Sequence, residues 1–356
     1  MARGNGASGF EGQCRNGASG CNPIGRTSLQ AVFALAIAAL IDRESYRMIR
    51  LKYRPALACF ATLALALQGC TTVPEAETAA APMAEREAAR SGPGLWKVAD
   101  EDTTIYLFGT IHALPGSVVW YEGPIENALA ASQELVTEIP SDAARDPASQ
   151  QMVMAKAMLP ADQSLRDLLS ETDRSTYEAA LTRLGVPPAA FDRFEPWFAG
   201  MTLALMPLMK AGYAAESGVE TRLEQLAPAD ATRSAVETLA WQIEMFDTLP
   251  VESQIAFLMV SADQVDEIAP MMDRMVAEWL EGDADGLAEL MNEGLTDPVL
   301  AKTLLYDRNA RWAEWVETRL EEPGTVFLAV GAGHLAGEQS LQDFLEDGGL
   351  NVIRVQ

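Results

Sequence analysis

The chain has 356 residues, with 26 Lys and Arg against 51 Asp and Glu and a formal net charge of −25 at pH 7. So acidic a protein repels nucleic acid, whose binding rests on Lys and Arg contacts to phosphate. It also has no electrostatic pull towards anionic lipid headgroups.

Residues 48–70 read MIRLKYRPALACFATLALALQGC. Arg50, Lys52 and Arg54 make a positive n-region. Pro55 to Leu67 is uncharged and shorter than the roughly 20 apolar residues a membrane span needs. Those flanks predict a secretory signal peptide. It ends in Leu67-Gln68-Gly69-Cys70, which resembles the lipobox of bacterial lipoproteins and marks Cys70 for lipidation. The alternative is an ordinary signal peptide with an incidental cysteine. Met48 opens a proper n-region, so residues 1–47 are expected to be an upstream extension that is not normally translated. An anchor in the apolar run Leu29 to Ile41 is the alternative there. Thr71, rather than Asp, follows Cys70, and the expected location is the outer membrane, facing the periplasm. Attachment would come from acyl chains, of which more than one is needed for a stable hold.

All four cysteines, Cys14, Cys21, Cys59 and Cys70, lie at or before this cleavage site. The remainder therefore has no disulfide and no thiolate metal site, despite an oxidising compartment. Residues 1–70 hold 8 basic and 3 acidic residues, which leaves 18 basic and 48 acidic ones beyond them, a charge of about −30. Thr71 to Gly94 is rich in Ala, Glu and Pro with no aromatic residue, and reads as a flexible tether. Residues 95–356 are long enough for one sizeable α/β domain.

The domain has strand-like ends and a helical middle. Leu95–Ala99 and Thr104–Gly109 flank the turn-like Asp100-Glu101-Asp102-Thr103 and predict a hairpin. Glu134–Ile139 is a third short strand. Thr325–Val330 is an unbroken apolar run, as expected for a strand covered on both faces. Leu350–Val355 closes the sheet. From about 147 to 320 the pattern is helical, clearest at 173–184, 240–248, 251–278 and 298–320. Met201, Met206 and Met209 fall in this stretch; core packing explains such a stripe better than a soft-metal box.

The sequence contains two histidines in matching contexts. One is in IYLFGTIHAL, with Gly109 and His112; the other is in VFLAVGAGHL, with Gly331 and His334. Each is an apolar strand, then Gly, two residues, then His. In α/β sheets ligands bind beyond the carboxyl ends of strands, and Gly lets the backbone turn or approach closely there. Two neighbouring strands of this kind would converge two imidazoles, which serve as metal ligands or acid–base groups. Glu138, at the end of its own strand, could ligate a metal or act as base on a bound water. Arg308, beside Asn309 in an amphipathic helix, could stabilise an oxyanion. The alternatives are two unrelated structural histidines, a solvent-facing Glu and a surface Arg.

These residues resemble the TraB/GumN family, which also includes the Tiki proteins. The likeness rests on Leu107-Phe108-Gly109-Thr110-Ile111-His112, Glu138, Arg308-Asn309 and Gly331-Ala332-Gly333-His334. Internal pieces add to it: Glu195-Pro196-Trp197, Gly218-Val219-Glu220, and Glu237-Thr238 with Gln242 and Gln254. Where the family is expected to have Gly-hydrophobic-Asp, this chain has Glu220. The resemblance covers residues 95–356. It implies an α/β fold of the erythromycin-esterase/ChaN-like kind, a mixed sheet core with a large helical insertion over about 147–320. It also implies a metal-dependent hydrolase, since Tiki proteins are described as proteases using manganese or cobalt. His112, His334 and Glu138 would then hold the metal, with Glu138 and Arg308 catalytic and a peptide or other small extracytoplasmic molecule as substrate. A non-catalytic lipoprotein that binds haem, iron or a peptide is the alternative. No feature of the sequence indicates an oligomeric state.

The lipid anchor gives the first prediction. Radiolabelled palmitate is expected to enter the full chain and to be lost in Cys70→Ala; label surviving that change would remove the anchor.

Overall fold

The computed structural model describes residues 92–292 and 298–356. The expected upstream extension, the expected signal peptide with Cys70, and nearly all of the expected tether lie outside the described residues. Among the described residues no helix is long and apolar enough to cross a membrane.

Among the described residues eight strands organise the fold: β1 Leu95–Ala99, β2 Thr103–Thr110, β3 Leu114–Pro115, β4 Glu134–Thr137, β5 Tyr213–Ala214, β6 Thr232–Ala235, β7 Gly324–Gly331 and β8 Ile353–Arg354. Six form one mixed sheet in the order β6-β4-β7-β2-β1-β8. β1 and β2 are the expected antiparallel hairpin. β2, β7, β4 and β6 run parallel to one another. Thus the first and last long strands of the domain are neighbours, with Gly109 opposite Val330 and Thr110 opposite Gly331.

The period-two alternation of side chains splits β2, β4 and β7 between two cores. Phe108, Leu135, Phe327 and Ala329 face the larger one, which includes Trp120, Trp279 and Ile125. Leu107, Val136, Val326, Leu328 and Val330 face the other, packed against Trp312, Val316, Leu341 and Leu345. The unbroken apolar run of β7 therefore has a physical cause: both faces are buried.

The helices that matter to the site are α1 Pro124–Ala131, α2 Glu171–Leu184, α3 Pro196–Ala211, α4 Val219–Leu226, α5 Leu239–Asp247, α6 Val251–Asp263, α7 Ile268–Glu281, α8 Ala284–Asn292, α9 Asp307–Arg319 and α10 Leu341–Asp347. A single π-helical turn, Lys302–Tyr306, leads into α9. Such turns occur often at functional sites. The methionines behave as packing residues: Met201, Met271, Met272 and Met275 are buried in the larger core.

Two expectations need correction. The helix expected over 251–278 is broken between Asp263 and Ile268. Its first half straddles two cores, because Leu258, Ala262 and Val265 join a separate helical cluster with Tyr177 and Leu181 while Phe257 reaches the larger core. Ile268, Met271 and Trp279 instead face the sheet. The helical stretch is also interrupted by β6, an edge strand paired with β4. Its sequence, Thr-Arg-Ser-Ala, is polar and mostly exposed, so it carries no apolar alternation to betray it.

Candidate active site

The site is built where the carboxyl ends of β2, β4 and β7 meet. Close approach at that edge requires glycine. A Cβ on Gly109 would lie 3.0 Å from Ala332 Cα. A Cβ on Gly331 would lie 3.1 Å from Glu138 Oε1, 3.5 Å from His334 Cδ2 and 3.7 Å from His112 Nε2. Three predicted site residues thus surround one point that the missing Cβ of Gly331 keeps uncrowded. Trp279, from α7, anchors the end of β2 by donating its Nε1–H to the Gly109 carbonyl at 2.8 Å.

Glu138 follows β4 directly, and its carboxylate accepts three hydrogen bonds. Oε1 accepts from the Gly331 amide at 2.7 Å. Oε2 accepts from Arg308 Nη2 at 2.5 Å and Gln242 Nε2 at 3.1 Å. Burial works against its charged form, but the Arg308 charge and the Gly331 amide outweigh it. They hold the carboxyl well below the ordinary range, so Glu138 is an anion.

Arg308 is 2% exposed and uses all five of its N–H donors. Nε and Nη2 donate to Glu237 at 2.9 and 2.8 Å, and Nη2 also to Glu138. Nη1 donates to the Leu304 carbonyl at 3.3 Å and lies 3.1 Å from His334 Nε2. Its guanidinium carbon sits 4.7 Å from the Trp312 ring centroid, and Trp312 Nε1 donates to Glu237 at 3.0 Å. No donor remains for an oxyanion, the role expected of Arg308 from the sequence. It instead binds Glu138, Glu237 and His334 into one unit.

His334 lies in the short 3₁₀ segment Ala332–Leu335 after β7. Its Nδ1 is 2.6 Å from Asn309 Oδ1. Asn309 Nδ2 donates to the Gln339 carbonyl at 2.7 Å, which turns Oδ1 towards the ring. His334 therefore donates from Nδ1 and accepts from Arg308 at Nε2. Burial first, then the Arg308 charge, pushes its pKa well below the usual imidazole value, so the ring is neutral. Gln339 holds a left-handed φ of 57°, the one non-glycine among the described residues with positive φ.

His112 is different. Its side chain is 14% exposed, and its Nδ1 lies 2.5 Å from Glu220 Oε1. The Thr110 hydroxyl donates to the same oxygen. Burial disfavours its cation, but the charge and hydrogen bond of Glu220 outweigh this and raise its pKa above 6.5. In the neutral ring, with Nδ1–H donated to Glu220, the lone pair is on Nε2, which lies 3.7 Å from where a Gly331 Cβ would sit. Glu220 reaches this position because the chain at Gly218 is pressed against the end of β2. A Cβ on Gly218 would collide with the His112 carbonyl, and the Val219 amide donates to the Ile111 carbonyl at 3.0 Å.

The structure thus brings His112, His334, Glu138 and Arg308 together. Three further residues had no role assigned from the sequence: Glu220, Glu237 and Gln242. Their signal was present in Gly218-Val219-Glu220 and in the Glu237-Thr238 and Gln242 pieces, but partner identity depends on the fold.

Fold and site define an α/β domain with paired strand-end histidines around a buried carboxylate–guanidinium cluster. The chain belongs to the TraB/PrgY/gumN family, whose profile matches residues 94–354. It is also similar to the uncharacterized protein YbaP of Escherichia coli, 29% identical over 195 residues that cover 53% of this chain and 70% of YbaP. YbaP of Shigella flexneri matches with the same identity and coverage. No solved structure matches the chain.

Breaking a buried ion pair leaves an uncompensated charge, at a cost of about 3–5 kcal/mol. Arg308→Ala is expected to lose stability of that order in denaturant unfolding. A loss under about 1 kcal/mol would show that the cluster does not hold the fold.

Proposed function

We propose that the domain is a lipid-anchored hydrolase of a peptide or other small extracytoplasmic substrate, with His112 as general base. The observation that carries this is the state of the two imidazoles. His334 has both nitrogens engaged. His112 has one nitrogen held by a carboxylate, while its other nitrogen and Glu138 Oε1 both lie within 4 Å of where a Gly331 Cβ would sit. A base–orienter pair of this kind takes a proton from an attacking water, while the carboxylate fixes the tautomer and stabilises the imidazolium that forms. His112 and Glu220 are both partly exposed, at 14% and 21%, whereas Glu138, Arg308 and His334 are buried, so a substrate would meet this pair first.

A divalent metal, manganese or cobalt, is what the family resemblance implies. The donor set does not fit a three-ligand site. His334 Nε2 faces a guanidinium, and Glu138 already accepts three hydrogen bonds. Among the described residues no group of three His, Cys, Asp or Glu side chains is placed to hold an ion. The proposed proton transfer is therefore assigned to His112 and Glu220 alone.

Purified full-length protein in detergent can be incubated with a mixed peptide library and the products read by mass spectrometry. Cleavage is expected, and His112→Ala should slow it by about 10²–10⁴-fold, the usual contribution of a general base. Glu220→Gln should lower kcat more than it alters KM. Recovery of every peptide intact from the wild type, or full activity in His112→Ala, would overturn the assignment.

A further inference from the structure

We infer that Arg308 occupies the cation position of this site, so that the chain supplies its own positive charge where a divalent metal would otherwise bridge Glu138 and His334. The inference deepens the hydrolase reading above, but its test does not depend on activity.

The geometry has three parts. First, a metal bound by Glu138 and His334 would have the carboxylate oxygen and the imidazole lone pair aimed at one ion, each about 2 Å away. Here both atoms are aimed at one guanidinium, 2.5 Å from Nη2 and 3.1 Å from Nη1. Second, the second carboxylate that would complete such a cage, Glu237, is also turned to Arg308, through both of its oxygens. Removing the guanidinium on paper leaves two buried carboxylates and one neutral imidazole around a single vacated volume. That is the donor set of a hard or borderline divalent cation. Third, the arginine is not a visitor from the surface. It is buried, it stacks over Trp312, and the π-helical turn before it supplies the Leu304 carbonyl to its remaining donor.

Charge follows the same logic. Glu138 and Glu237 are 8% and 4% exposed, and burying two carboxylates without a cation is costly. Arg308 offsets one charge directly. Arg311, stacked 3.8 Å over Trp241, approaches Glu237 at 3.9 Å from the solvent side. An added divalent ion would have to displace an arginine that makes five hydrogen bonds. This leaves His112 outside the guanidinium's set of hydrogen bonds and free for proton transfer.

The test is manganese binding by full-length protein, read from the loss of the free-ion Mn²⁺ electron paramagnetic resonance signal. Wild type is expected to leave the signal unchanged at micromolar Mn²⁺. Arg308→Ala should bind one Mn²⁺ at least tenfold more tightly than wild type, and Arg308→Ala/His334→Ala should lose that gain. Arg308→Gln removes the charge but keeps a polar side chain, and keeps the experiment decisive if Arg308→Ala does not fold; it too should bind Mn²⁺ more tightly than wild type. Stoichiometric micromolar binding by wild type that His334→Ala abolishes would overturn the inference. So would the absence of any gain in whichever variant folds. Either result leaves the peptide-cleavage assay above unaffected, so the two readings fail separately.

Discussion

A guanidinium sealed inside the protein sets the terms for everything around it. Arg308 must find five acceptors away from water, and the fold delivers them from four separate stretches of chain. Glu138 comes from the end of β4, Glu237 from the approach to α5, His334 from the turn after β7, and Leu304 from the π-helical turn. Hydrogen bonds to charged groups are stronger than neutral ones, and leaving any of them unmade in the interior is expensive. The cluster therefore behaves as a unit. It fixes Glu138 as an anion and His334 as a neutral ring, and it leaves His112 as the imidazole with a lone pair to use.

Parallel pairing of β2 with β7 makes this possible. The two strands lie more than two hundred residues apart in sequence yet run side by side in register. Each carries a glycine at or next to its carboxyl end, Gly109 and Gly331, and each glycine is followed by a histidine at the same offset. The two rings nevertheless end in opposite environments. His112 stays near the surface with Glu220 behind it, whereas His334 is buried between Trp312, Asn309 and Arg308. Identical motifs give unlike chemistry because the partners of each ring come from elsewhere in the chain.

Much of this was legible in the sequence. The hairpin, the doubly covered β7, most helices and the convergence of His112, His334 and Glu138 all followed from apolar pattern and from the repeated Gly-x-x-His. The rest depended on partners that pattern cannot reveal. β6 was hidden because Thr-Arg-Ser-Ala is an exposed edge with no apolar face. The break after Asp263 was hidden because both halves of that helix are apolar, and only the fold decides that Leu258 and Ala262 leave for a separate cluster while Ile268 and Met271 stay with the larger core. Arg308 was identified as a site residue, but its role was not. A lone arginine on an amphipathic helix reads the same whether it faces a reacting group or ties carboxylates together. Glu220 was visible only as a departure from the expected Asp, and its place behind His112 came from the chain pressing Gly218 against β2.

The difference between the two imidazoles is the point on which the account stands, and a chain with two histidines allows it to be observed directly. Histidine-selective ¹⁵N labelling and nuclear magnetic resonance of the full chain across about pH 5 to 8 would resolve both rings. His334 is expected to stay neutral throughout, with its proton on Nδ1, while His112 becomes protonated with a midpoint above the ordinary 6.5. Two rings titrating together, or a proton on Nε2 of His334, would mean that Arg308 does not hold that ring and would contradict the arrangement described.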